Sequence, residues 1–308
     1  MNTSPVLVTG AAGFAGSHLV EHLTASGDAV VGWSRREVDL LDREAVRERI
    51  RGLRPSAIYH CAGAPQVAHS WEDTVRPLAS NVLATHHLLD AVRRAGLKCR
   101  VLIPGSATVY RSSLSPLTED DPVAPSSPYA VSKLAQEQLG VRACAEDGID
   151  VLLTRSFNHT GPRQTPGFAA PAMARQLALI ESGRVEPTIK VGNLEPQRDL
   201  TDVRDVVRAY RLLMERGQPG TPYNICSGTA HPIRDVLDGL RQRVRMPISI
   251  EVDPARLRAN DLPILLGSPA KLHHDTGWKP AISFDRMLDD LLAYWRDVIR
   301  TQPQEIDP

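Results

Sequence analysis

Val6-Leu7-Val8-Thr9-Gly10-Ala11-Ala12-Gly13-Phe14-Ala15-Gly16 is the stretch from which the rest of this chain can be read. A short β-branched run, suited to a buried strand, opens into three glycines spaced by two residues and continues as a helix-like stretch to Ser26. A strand that turns at once into a helix needs glycine where the backbone bends sharply and where a phosphate must come close. The start of the helix then offers unpaired N–H groups and the positive end of its dipole. Gly10, Gly13 and Gly16, with Phe14 and Ala15 at the helix start, are expected to cradle a dinucleotide pyrophosphate.

Outward from that turn, strand-like segments at 29–33, 57–60, 100–103 and 150–154 alternate with helix-like segments at 42–51, 78–95 and 129–146. Alternation at this length predicts an α/β fold, a Rossmann-type doubly wound parallel sheet. Beyond residue 155 the pattern changes. Prolines at 162, 166, 171, 187 and 196 punctuate shorter elements, and helices are expected to begin near Val203, Ile233 and Ser283. The expected division is a dinucleotide-binding domain over 1–155 and a smaller, interleaved C-terminal lobe over 156–308 that returns some segments to the first sheet.

The end of the second strand speaks to the kind of dinucleotide. A carboxylate there would accept hydrogen bonds from the ribose hydroxyls of NAD, whereas a guanidinium fits a 2′-phosphate. The strand ends Trp33-Ser34-Arg35-Arg36, and the first carboxylate is Glu37. NADPH is therefore the favoured cofactor and NADH the second choice, with Ser34, Arg35 and Arg36 at the phosphate and Asp39 and Leu40 at the adenine edge.

Tyr129-Ala-Val-Ser-Lys133 opens the helix after Pro128. Residues four apart share a helix face, so the phenol and the ammonium point into one cleft. A phenol ordinarily titrates near about 10, and a neighbouring cation is expected to lower that and ease proton transfer at neutral pH. Ser106, in Pro104-Gly105-Ser106-Ala107-Thr108, lies at the carboxyl end of a strand, the rim where doubly wound sheets bind ligands.

Bulk properties exclude other classes. Lys plus Arg equals Asp plus Glu at 36 each, and 5% of residues are aromatic, so neither a basic footprint nor a base-stacking surface for nucleic acid is expected. Cys61, Cys99, Cys144 and Cys226 are far apart and form no metal-binding spacing. No apolar run reaches membrane-spanning length and no basic segment precedes the first apolar one, so a cytoplasmic protein is expected.

Taken together, these segments resemble the extended short-chain dehydrogenase/reductase family of nucleotide-sugar enzymes, over essentially the whole chain. The resemblance implies that Tyr129 is the acid/base, that Ser106 partners it at the substrate oxygen, and that Lys133 also holds the nicotinamide ribose. Ala62 and Gly63, in Cys61-Ala62-Gly63 where the family usually has Leu-Ala-Ala, and Asn81 in Ser80-Asn81-Val82 match positions near the cofactor. Arg155-Ser-Phe157-Asn158-His159-Thr160-Gly161-Pro162-Arg163 is similar to a family segment whose Asn contacts substrate phosphates, which implies substrate contacts for Asn158 and Arg163, and for Thr108 beside Ser106. The segment from Val191 through Arg198 to Asp205, and Arg258, imply further contacts to a sugar nucleotide, although Ala259 stands where a proline often follows.

The likeness is strongest to the GDP-sugar branch, both its 4-keto-6-deoxy reductases and its 4,6-dehydratases. It implies reduction of the C4 keto group of GDP-4-dehydro-6-deoxy-D-mannose to GDP-D-rhamnose. A dehydratase would carry an acid two residues after the catalytic hydroxyl. This chain has Thr108 there, which cannot act as a base near neutral pH. A 4-epimerase is the alternative, because Ser106-Ala-Thr-Val-Tyr110 also resembles UDP-galactose 4-epimerases, and a non-catalytic dinucleotide sensor is the alternative of another class. The helices at 78–95 and 134–144 are expected to supply a helix-bundle homodimer interface, as in the family. Arg111, in place of a frequent glycine, alters the rim near the sugar.

Overall fold

The computed structural model describes residues 4–65, 69–257 and 262–301. Along the chain run β1 (Val6–Thr9), α1 (Phe14–Ala25), β2 (Val30–Trp33), α2 (Arg43–Leu53), β3 (Ala57–His60), the short α3 (His69–Glu72) and α4 (Val75–Pro77), a π-helical turn at Leu78–Leu83 and α5 (Ala84–Arg94). Then come β4 (Arg100–Ser106), α6 (Pro128–Asp147), β5 (Val151–Ser156), β6 (Asn158–Thr160), α7 (Ala169–Glu181), β7 (Thr188–Val191) and β8 (Gln197–Asp202). The chain finishes with α8 (Val203–Arg216), β9 (Pro222–Ile225), β10 (Ala230–Pro232), α9 (Ile233–Gln242), β11 (Ser249–Val252), β12 (Ile264–Leu265), α10 (Ala270–Thr276) and α11 (Phe284–Thr301).

A six-stranded sheet in the order β2-β1-β3-β4-β5-β9, parallel throughout, forms the centre. Thr9 pairs with both Trp33 and His60, so three carboxyl ends finish level. The chain leaves β1 for one neighbour and later returns beside it as β3, which opens a crevice at this switch point. One face of the sheet is covered around Ile50, Leu88, Val101 and Leu153, the other around Leu19, Leu102, Tyr210 and Trp278. A smaller layer centres on β8, flanked by β6, β10 and β12, and a separate β7–β11 pair packs with α7, α9 and α11 around Leu177, Leu237 and Leu291. Although β9 follows these elements in sequence, it completes the central sheet beside β5.

Local chemistry sets the helix ends. Ser127 caps α6 by accepting from the Ala130 N–H at 3.1 Å, Pro128 occupies the first turn, and Gly148 closes the helix in the left-handed conformation. The single helix expected over 78–95 is instead three pieces, beginning at Val75 and widening into a π-turn at 78–83. Its period drifts there, and Asn81 is carried fully inside.

Candidate active site

The glycine turn is built as its spacing requires. Gly10 has φ +67°, and a Cβ on it would lie 2.6 Å from the Ala62 nitrogen, while one on Gly16 would lie 2.1 Å from the Gly10 oxygen. Turn, helix and the loop after β3 thus touch backbone to backbone. Gly13 supplies no side-chain cap to α1, so the first-turn N–H groups, including those of Phe14 and Ala15, remain available to a ligand. A cradle that any side chain would fill, ending on an uncapped helix start, fits a pyrophosphate.

A cavity of about 490 Å³ continues from this cradle, lined by Gly10, Ser34, Arg35, Asp39, Leu40, Ala62 and Gly63 among others. Ser34 and Glu37 close a hydrogen-bonded turn at its rim. The Ser34 N–H donates to the Glu37 carboxylate at 2.7 Å, its hydroxyl donates to the same group, and the Arg36 N–H returns to the Ser34 oxygen at 3.2 Å. These bonds hold the Glu37 carboxyl below its ordinary range and fix the turn that carries the two arginines. Arg35 reaches the cavity; Arg36 is exposed on the turn. Glu37 had no such role in the sequence reading, because no helix starts at this turn.

Ser106 ends β4, and its hydroxyl lies 2.9 Å from that of Thr108. Tyr129 and Lys133 stand one turn apart on the buried face of α6. Burial pushes the Tyr129 phenol up to about 12, with a hydrogen bond from Ser106 acting the other way. The expected lowering of the phenol by Lys133 is not found: burial sets the direction, and the opposing influence comes from Ser106. Burial also brings the Lys133 amine down to about 8, and its Nζ donates to Pro104 O and Gln136 Oε1, both at 2.7 Å. A phenol in this state is protonated at neutral pH, which suits a proton donor. Asn81 braces the site from outside the cavity. Its Nδ2 donates to Ser132 Oγ at 2.9 Å, and its Oδ1 accepts from the Ala64 N–H at 2.9 Å.

A second cavity, of about 440 Å³, lies beside β6 and brings together Asn158, Val191 and Arg198 with His159, Lys190 and Arg256. Arg198 donates to Leu262 O at 2.7 Å. Its neighbour Asp199 is fully buried and accepts from the Ser227 N–H and hydroxyl, both at 2.7 Å, and from the Gly228 N–H at 2.9 Å, so it ties down the loop at 227–228. Arg163 departs from expectation. It takes a left-handed backbone (φ +73°) that swings its guanidinium onto Glu21 and onto His18 Nδ1, at 2.8 and 2.7 Å, clasping α1 instead of facing this cavity. His159 stacks on Phe14, ring centroids 5.9 Å apart and 5° from parallel, and its Nδ1–H donates to Phe157 O at 3.0 Å. Arg258 lies outside the described residues. Among the described residues no helix is long and apolar enough to cross a membrane.

Comparison with known proteins agrees with this geometry. The profile described as "NAD dependent epimerase/dehydratase family" matches residues 6–226. A GDP-6-deoxy-D-mannose reductase of Pseudomonas aeruginosa is 36% identical, covering 97% of this chain and 100% of its own. Among solved structures, RMD from Pseudomonas aeruginosa complexed with NADPH superposes with a TM-score of 0.89 at 34% identity, over 96% of this chain and 100% of that one. A UDP-glucose 4-epimerase from Thermus thermophilus in complex with NAD superposes with a TM-score of 0.84 at 29% identity, over 95% and 99% of the two chains.

Proposed function

The chain belongs to the NAD dependent epimerase/dehydratase family, the extended short-chain dehydrogenase/reductases, and as a member of it, we propose, it reduces the C4 keto group of GDP-4-dehydro-6-deoxy-D-mannose to give GDP-D-rhamnose. NADPH is the preferred cofactor and NADH the second. The glycine turn and α1 start hold the pyrophosphate, and Arg35 beside the cavity favours the 2′-phosphate. Bound there, the nicotinamide supplies the hydride. Ser106 orients the carbonyl oxygen, Tyr129 gives its proton to that oxygen as the alkoxide forms, and Lys133 holds the nicotinamide ribose. Asn158, Arg198 and Arg256 bind the sugar nucleotide, with Arg258 assigned there by resemblance.

The observation that carries the reductase reading is Thr108, bonded to Ser106 where elimination chemistry would need an acid. The likeness to the P. aeruginosa reductase agrees with it. The test is NADPH absorbance with the purified 4-keto substrate, for the native chain and for Tyr129→Phe. Stoichiometric oxidation giving GDP-rhamnose, reduced about 100-fold or more in the variant, supports the reading, and no oxidation overturns it. A 4-epimerase is the second reading, supported by the likeness to the Thermus thermophilus enzyme. It would interconvert C4 epimers with its nicotinamide retained. The same family membership supports a homodimer through α5 and α6, next to which Trp71, Leu78 and Val131 expose apolar surface. Light scattering at twice the chain mass is the expected result.

A further inference from the structure

Behind Lys133 runs a buried polar chain that the proposed chemistry does not use. Gln136 Oε1 accepts from Lys133 Nζ, and Gln136 Nε2 donates to Thr85 Oγ1 at 2.7 Å. The Thr85 hydroxyl donates to Asn81 O at 2.5 Å and lies 2.9 Å from His60 Nε2. His60 Nδ1 is 2.8 Å from the hydroxyl of Thr9, the residue before the glycine turn, and Thr9 Oγ1 accepts from the Ala62 N–H at 3.3 Å. Thr9, Thr85 and Gln136 are fully buried, and His60 is 1% exposed.

Donor bookkeeping leaves one arrangement. A hydroxyl has one proton and two acceptor sites. The Thr85 proton is committed to Asn81 O, so Thr85 can only accept from its other two neighbours. His60 must then carry its proton on Nε2 and accept from Thr9 at Nδ1. Burial holds the ring neutral, down to about 3. Gln136 must likewise turn its NH₂ toward Thr85. Its carbonyl oxygen is left facing Lys133.

We propose that Gln136, oriented by Thr85, is a positioning residue that presents a fixed carbonyl acceptor to the Lys133 ammonium and keeps that amine charged in a dry site. Hydrogen bonding to the charged form favours it, opposing the desolvation that pulls it down. The other titratable groups near the amine are Cys61 and His60 at the end of β3 and Tyr129 on the same helix, while the neighbouring Glu137 is turned to Arg155 at 2.7 Å. No carboxylate among these supports the charge, so the amide is the dominant adjustable partner.

The inference rests on the proposed pairing of Tyr129 with Lys133, and its test separates the two. The chain has lysines only at 98, 133, 190, 271 and 279, so NMR of ¹³C-labelled lysine can follow the Lys133 titration in the cofactor-free protein. The expected midpoint falls by about one pH unit in Gln136→Leu and rises by about as much in Gln136→Glu, which supplies a charged acceptor. The alkaline limb of the reduction rate should move in the same directions. A purely packing role would lower stability in both variants without opposite shifts. An unchanged Lys133 midpoint in the folded variants overturns the proposal. Midpoints that move while the rate limb stays put keep the positioning role and remove Lys133 from the proton chemistry.

Discussion

Gly16 is the residue with the least room. The backbone oxygen of Gly10 stands 2.1 Å from where its Cβ would be, so Gly16→Ala must push turn and helix apart. Overpacking of that kind costs about 1–3 kcal/mol, and it opens the very cradle proposed for the pyrophosphate. NADPH fluorescence titration should show binding lost, and urea unfolding the lower stability. Residue types alone made this position legible, as they did Tyr129, Lys133 and Ser106, because spacing encodes which groups share a face. Gln136, Thr85 and His60 were not legible. A polar residue at an inward-facing helix or strand position carries no sign of its partner, which here sits 51 residues away for Gln136 and 25 for His60. Arg163 failed for a related reason: sequence names the side chain but not the left-handed φ that aims it.

Among elements, β8 shows how one motif divides its labour. Arg198 lines the cavity, Asp199 ties the loop at 227–228, and Asp202 caps α8 by accepting from the Arg204 N–H at 2.8 Å. Three kinds of work occupy five residues, and only the first concerns a ligand. Asp199→Ala would take the acceptor from the Ser227 N–H and hydroxyl and from the Gly228 and Gly267 N–H groups, of which Gly267 is buried, and a stranded buried donor costs about 1–3 kcal/mol. Urea unfolding should therefore register a loss of roughly 3 kcal/mol, with a raised KM as the loop tied by Asp199 slackens. The helices expected at 42–51 and 129–146 end within two residues of those bounds, with Asp42 and Ser127 capping them, and α8, α9 and α11 start within one residue of the expected positions, whereas α7 and α10 were not expected. The stretch at 75–94 was less legible, since apolar spacing does not distinguish a straight helix from one with a π-turn.

For the whole molecule, burial acts on the histidines in one direction. His18, His22, His60 and His159 are all held below their ordinary pKa, chiefly by desolvation. The unfolded chain binds protons at these sites below about pH 6.5, while the folded chain resists them. Stability therefore rises with pH up to that value and is lost as pH falls below it. Differential scanning fluorimetry should find Tm lower at pH 5 than at pH 7, by roughly 5 °C. A flat Tm across that interval would contradict the buried, neutral state of these rings.

The placement of β9 also has a consequence during synthesis. The chain leaves the central sheet after β5 and does not supply the neighbouring strand until residue 222. A ribosome that has released only the first 156 residues presents β5, buried along its whole length in the finished protein, as an unpaired edge. The nascent half is thus sticky for the time needed to translate about seventy more residues, several seconds at about 5–20 residues per second. Slowing translation across that interval, or lowering the supply of holdase chaperones, acts on this vulnerable window rather than on the finished enzyme.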